Sequence, residues 1–342
     1  MLKNKHNLYQ NYSYCLATYF NEKNESLCII TNSNNEAKYL VNELKLILEN
    51  NSIIHFRESD ILPYDHFSVP EKITKERFKI VNNSKSYKKH ILVASVKSLF
   101  ERYPENEFFK SIKNFKIDTK ISLIELINIV ESLNYQKKTN VENINEYSVR
   151  GGIIDIYTPI YSNPLRVEIF DDRIESIRFF DVESQLSVNT LSEFSISNGN
   201  SVLFDKNTID MFIDRWRDYF PEIDERYCPI FQNIKNNYNS EGYEIYYPFF
   251  FKKTINFLEL FDGYKYLKLN NLDEEILKYN NFIQERYRDE KIDDSRPLIK
   301  PSDLFLPYDD VNEIYNSINS LNINEIGFNF SSFNELEEAI SN

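Results

Sequence analysis

Apolar runs and helical stripes alternate through the first third of the chain. Ser26–Thr31 is a short apolar run suited to a buried strand. Ser33–Glu36 then fits a capping box, with Ser33 accepting from the Glu36 amide while Glu36 reaches back. The helix so opened places Ala37, Leu40, Val41, Leu44, Ile47 and Leu48 on one stripe. Ser52–Phe56 and Ile91–Ser95 read as further buried strands, and a helix of mixed polarity, Tyr9–Tyr19, precedes them all. Strand, helix and strand in this order predict a parallel sheet covered by helices.

The period changes further on. Thr119–Leu133 reads as a helix with Leu123, Leu126, Ile127, Val130 and Leu133 on one face. Ser148–Thr158, Leu165–Phe170 and Arg173–Phe180 then read as three strands of a meander. The Asp171-Asp172 pair supplies a tight hairpin, because Asp tolerates turn dihedrals and bonds its own backbone. Helix and meander form a compact α+β unit, closed by the polar turn Ser195–Asn200.

Within the meander, alternation turns Leu165, Val167 and Ile169 to the core and Arg166, Glu168 and Phe170 the other way. Arg150 falls on the same outer face, beside Gly152, whose missing side chain leaves room for a partner. Two arginines flanking an exposed ring have the chemistry of an interface hot spot, a rigid multidentate donor beside desolvatable area. Alternation alone leaves the plainer alternative open, with two solvated arginines and a half-buried Phe170.

The remaining segments read as scaffold. Leu62–Phe78 is a proline-flanked loop entering a helix, in which Tyr64 and Phe67 pack and Arg77 pairs with a local acid. Asp60 and Asp65 have no second acid or base placed with them. Asp205 caps a helix through Trp216, and Trp216 and Tyr219 serve as core anchors. Gly242–Phe251 lacks the interleaved cations of a nucleic-acid stacking surface and reads as a buried strand. Asp273 caps a long helix bearing Ile276, Leu277, Phe282, Ile283 and Tyr287, whose polar end, ERYRDEKIDDSR, reads as a solvated charge run. Leu321–Asn342 alternates as a strand, then turns helical, and adds a final edge to the first sheet.

Composition narrows the function classes. With 42% hydrophobic and 27% charged residues among 342, and no run of ~18 apolar residues, the chain reads as soluble and cytoplasmic, without a membrane partner. Cys15, Cys28 and Cys228 have no CxxC spacing, and His6, His55, His66 and His90 are scattered, so no disulfide framework or metal site is expected. A net charge of −13 disfavours tight DNA binding, and Lys75, Lys79, Lys85, Lys88 and Lys89 fit a solvated helix and its exit. None of the six glycines lies in G-x-x-x-x-G-K-S/T or G-x-G-x-x-G, so no nucleotide or other cofactor is expected.

The run VRGGIIDI, followed after a turn by PLRVEIFDD and then by IESIR and FD, resembles the interaction domain shared by the bacterial repair protein UvrB and the transcription-repair coupling factors. Glu58–Ser68, the Glu76-Arg77 pair, Ile91–Pro104 and Arg296–Leu298 extend the resemblance, and Ser184-Gln185 is similar to the coupling factors rather than to UvrB. The resemblance implies a degenerate helicase-like (RecA-like) α/β domain with a parallel sheet and no P-loop, formed by residues 1–112 and 198–342. An α+β interaction domain with an antiparallel sheet, 113–197, is inserted in it. Carried over by motif, the contacts for the repair protein UvrA fall on Arg150, Arg166 and Phe170. The function implied is a non-catalytic adaptor of transcription-coupled nucleotide excision repair, with DNA contact weak or indirect. RNA polymerase would be touched only through regions beyond this chain. Two alternatives remain at this level: a damaged-DNA binding module, and ATP-dependent translocation only as part of a longer coupling-factor chain.

Overall fold

A computed structural model describes residues 13–320, apart from 24, 50–51, 85–88, 106–107, 109–112, 134, 198–201, 203, 239, 269–270 and 292. The first part holds β1 (Leu27–Thr31), α1 (Asn34–Ile47), β2 (Ile53–Phe56), α2 (Glu71–Ser84), β3 (Ile91–Ser95) and β4 (Tyr103–Pro104). Next come β5 (Lys113–Lys116), α3 (Leu123–Ser132), β6 (Gln136–Lys137), β7 (Glu146–Arg150), β8 (Ile153–Ile156), β9 (Leu165–Phe170), β10 (Arg173–Phe180), β11 (Ser187–Leu191) and β12 (Glu193–Ile196). The last part holds α4 (Lys206–Tyr219), α5 (Pro229–Lys235), a 3-10 helix (Tyr243–Phe250), β13 (Thr254–Ile255), α6 (Phe257–Leu260), β14 (Lys265–Lys268), α7 (Asp273–Glu290), α8 (Pro301–Leu304), α9 (Tyr308–Ser317) and β15 (Asn319–Ser320).

The parallel sheet runs β15-β14-β1-β3-β2, so it takes three strands from before the module and two from after it. Alternation divides its two faces residue by residue. Leu27, Ile29, Ile91 and Val93 pack with α1, while Cys28, Ile30, Leu92 and Ala94 face a larger core that includes Trp216, Tyr246 and Phe257. Ser33 does cap α1, accepting from the Glu36 amide at 3.3 Å, but the Glu36 carboxylate takes the Asn32 amide at 3.2 Å, one residue earlier than a capping box requires. The helical stripe ends at Leu44, and Ile47 is exposed. Residues 13–22 are helical, and the rest of the expected Tyr9–Tyr19 helix lies outside the described residues.

Several expectations are corrected. Gly242–Phe251 is a 3-10 helix, because Gly242 sits at φ 74, Pro248 lacks an amide hydrogen, and Ile245, Tyr246, Phe249 and Phe250 turn inward at helical spacing. Asp273 is the first residue of α7 and does not cap it; its amide is taken by Asn271 Oδ1 at 2.9 Å. The charge run after it is not simply solvated. Arg286 donates to the Pro63 carbonyl at 3.1 Å, Arg296 is buried and donates to the Tyr64 carbonyl at 3.0 Å, and Glu290 meets His66 at 3.0 Å. These groups hold the Leu62–Ser68 loop, from which Phe67 projects, 66% exposed, where the sequence suggested packing. Asp205 caps α4 as expected, accepting from Thr208 at 2.8 Å, and Trp216 is buried. Leu321–Asn342 lies outside the described residues; just before it, β15 forms the sheet edge.

The module has its own core. Its six-stranded sheet runs β11-β10-β9-β8-β7-β6, antiparallel except for β6 with β7. Leu126 and Val130 of α3 pack on Ile154, Ile156, Leu165 and Val167. A true capping box, Ser122 with Glu125, starts that helix, so Thr119–Ile121 is not helical. Instead, Thr119 and Ile121 bond the β10 edge at Ile174 and Asp172. Ser195 and Ile196 belong to β12, which pairs with β5, Ser197 is buried, and 198–200 of the expected closing turn lie outside the described residues.

Candidate partner-binding face

Two hairpins build the face. The expected single strand Ser148–Thr158 is β7 and β8, joined at Gly151 and Gly152. Gly151 sits at φ +60, which suits glycine. At Gly152 a Cβ would lie 2.8 Å from the Ile169 carbonyl oxygen, and the Ile169 amide donates to the Gly152 carbonyl at 2.8 Å. The space beside Gly152 is therefore filled by β9 and is not left for a partner. The second hairpin turns at Asp171 and Asp172, φ 50 and 54, the paired left-handed residues that match the twist of two antiparallel strands. It sets Phe170 opposite Arg173 at the sheet end, with the ring 71% exposed.

Along β9 the burial alternates as expected: Leu165, Val167 and Ile169 inward, Arg166, Glu168 and Phe170 outward. Arg166 nevertheless does not stand free in solvent. Its Nε and Nη2 donate to the two carboxylate oxygens of Asp155 at 2.8 and 2.9 Å, Asp155 itself being 3% exposed. Its Nη1 donates to the Gln185 carbonyl at 3.1 Å, and the guanidinium lies 4.6 Å from the Phe180 ring centroid. These bonds to Asp155 raise the pKa of Arg166. Gln185, at φ 58, carries the latch onward, its amide nitrogen donating to the Val182 carbonyl at 2.8 Å and the Val141 carbonyl at 3.4 Å.

Between Arg166 and Phe170 the Glu168 carboxylate accepts from Arg178 at 2.6 Å and from the Ser176 hydroxyl at 3.0 Å. Arg150 reaches sideways to the Thr139 carbonyl at 3.1 Å and to the Asn140 side chain. The ladder carries Arg150 across Ile153 to Glu168. Arg150, Arg166 and Phe170 thus share one side of the sheet. Only Phe170 extends without a polar tether of its own, and the two arginines hold loops of their own module. Sequence reasoning missed Asp155 and noted Gln185 only as a mark of the resemblance, not as a partner of Arg166. A lone acid inside the apolar run IIDI was the available signal for Asp155, since a buried carboxylate requires a partner.

Elsewhere, a cleft of about 170 Å³ opens near Tyr64, lined among others by Arg77, Glu101, Tyr247 and Glu244. Arg77 meets Glu101 at 2.6 and 3.0 Å and lies over Phe56. The carboxyl of Glu244, its pKa pushed up by burial, accepts from Ser68 and Val69. Within the cleft the Arg77 and Glu101 charges answer each other. Among the described residues, no group of three or more His, Cys, Asp or Glu could hold a metal ion, and no helix is long and apolar enough to cross a membrane.

Residues 114–201 match the UvrB interaction domain family. The chain is similar to the transcription-repair-coupling factor of Haemophilus influenzae, 25% identical over 293 residues, which cover 85% of the chain and 26% of the relative. The Escherichia coli transcription-repair-coupling factor is 25% identical over 262 residues, 76% of the chain and 23% of the relative. That of Rickettsia prowazekii is 24% identical over 319 residues, 90% of the chain and 28% of the relative. The chain therefore spans about a quarter of the length of the curated relatives it matches.

Proposed function

We propose that this chain is a non-catalytic adaptor of transcription-coupled nucleotide excision repair, and that its module, 113–197, recruits UvrA. The observation that carries the reading is the position of Phe170: a large apolar ring, 71% exposed, on a rigid hairpin inside the span that matches the UvrB interaction domain. An exposed ring among guanidinium groups suits a desolvated anchor with polar contacts around it. The surrounding α/β body, 1–112 and 198–342, is assigned as helicase-like without nucleotide chemistry. In its favour, only Asn32 and Ser33 join β1 to α1, too little backbone to wrap a phosphate, and the sequence holds no P-loop. Motor activity and contact with RNA polymerase are assigned to regions beyond this chain, and DNA contact is weak or indirect in view of a net charge of −13. Its place of action is the cytoplasm.

Calorimetric titration of the chain into purified UvrA tests the proposal. The expected result is saturable binding that Phe170→Ala weakens by about thirtyfold, the effect of ~2 kcal/mol at a hot spot, while the variant stays as stable as the parent. A folded parent chain that does not bind UvrA refutes the reading.

A further inference from the structure

We infer that Asp155 is a positioning residue for partner binding, acting through Arg166; the inference rests on the UvrA reading above. Three of the five N–H donors of Arg166 are already used, two on Asp155 and one on the Gln185 carbonyl. The Phe180 ring backs the guanidinium plane. What remains is one N–H on each Nη, held in a single orientation because Asp155 is buried and cannot follow a moving arginine. An unrestrained arginine would have to give up rotamer freedom on binding. Here Asp155 has removed that cost beforehand. The two donors are presented ready-aligned to an acceptor oxygen of the partner, on the same strand face as Phe170 with Glu168 between them. Gln185 belongs to the same device: its carbonyl fixes Nη1, and its side chain ties the 181–186 turn to Val141. The arrangement assigns a role to the buried carboxylate that charge complementarity alone would not need.

The test compares UvrA affinities of the full chain and its Asp155→Asn, Arg166→Ala, Arg166→Lys and Asp155→Asn/Arg166→Ala variants, at a temperature where circular dichroism shows each fully folded. Asp155→Asn is expected to weaken binding about tenfold. The double variant should bind no more weakly than Arg166→Ala alone, since Asp155 acts only through that side chain. Arg166→Lys, which keeps the charge but not the fork, should behave as Arg166→Ala. A folded Asp155→Asn that binds as tightly as the parent overturns the inference, and so do losses that multiply in the double variant. Should Asp155→Asn not fold, Arg166→Lys decides alone: parent-like affinity overturns the inference. Failure of the parent chain to bind UvrA removes the functional reading and this inference with it, whereas parent binding with an indifferent Asp155 removes the inference only.

Discussion

Neighbouring glycines on the candidate face should respond in opposite ways to the same added methyl group. At Gly152 a Cβ would meet the Ile169 carbonyl oxygen at 2.8 Å, against 3.4 Å for ordinary contact, so β8 and β9 must separate by about 0.6 Å. The separation acts on the pair that also makes the 2.8 Å bond from the Ile169 amide to the Gly152 carbonyl. Overpacking of this sort costs about 1–3 kcal/mol, and a weakened backbone bond adds up to ~1 kcal/mol, giving an expected loss near ~2 kcal/mol for Gly152→Ala. Gly151 has no atom within 4 Å of its would-be Cβ but sits at φ +60, so Gly151→Ala carries only a left-handed backbone penalty of about 1 kcal/mol. Gly151→Asn should cost less still, since asparagine tolerates that conformation. Hydrogen exchange in the intact chain reads this directly: amides of 146–156 and 165–180 should exchange roughly thirtyfold faster in Gly152→Ala. Trp216 fluorescence in urea, which senses the other core, should stay unchanged. Unaltered protection in Gly152→Ala, or a greater loss in Gly151→Ala, would refute the close-approach argument.

Other expectations concern the body. Burial lowers the His90 pKa from 6.5 to about 4, with the residue 1% exposed. Because the folded value lies below the unfolded one, the stabilisation is complete above pH 6.5 and is lost as pH falls towards 4, by up to ~3 kcal/mol; urea midpoints of His90→Gln should fall less steeply across that window than those of the parent. Arg77→Ala strands the Glu101 carboxylate and should cost about 3 kcal/mol in urea unfolding followed by Trp216, whereas a loss below ~1 kcal/mol would mean that water replaces the guanidinium. Asp205→Ala removes the acceptor of the Thr208 amide and should cost about 1 kcal/mol by the same assay, with Asp205→Asn near neutral.

The legible parts of the molecule are those fixed by local rules. The bounds of β9 and β10 and the Asp171-Asp172 turn follow from period-two alternation and from two residues tolerant of positive φ. The division of Ser148–Thr158 escaped because a Gly-Gly pair reads equally as a kink within one strand. Gly242–Phe251 escaped because a short, largely apolar and aromatic run can be read as a buried strand or as a buried helical segment. The charge run at the end of α7 was misread for another reason: the partners of Arg286 and Arg296 are carbonyls of Pro63 and Tyr64, more than 200 positions away, and composition cannot reveal such distant acceptors. At the candidate site the shared face of Arg150, Arg166 and Phe170 was readable. The tethering of both arginines was not, because Asp155, the Thr139 and Gln185 carbonyls and the Asn140 side chain come to them only through strand pairing and loop closure.

The β5–β12 ribbon sets Lys113 opposite Ile196, so the chain enters and leaves the module side by side. A unit whose two chain ends lie side by side is easily portable. Bridging those two positions with a short loop would excise the candidate face and leave all five strands of the parallel sheet in place. The excised piece takes its own core with it, from Phe115 to Ile196. Such a cassette can be exchanged between proteins whose remaining tasks have nothing in common, at no greater structural cost than closing a turn.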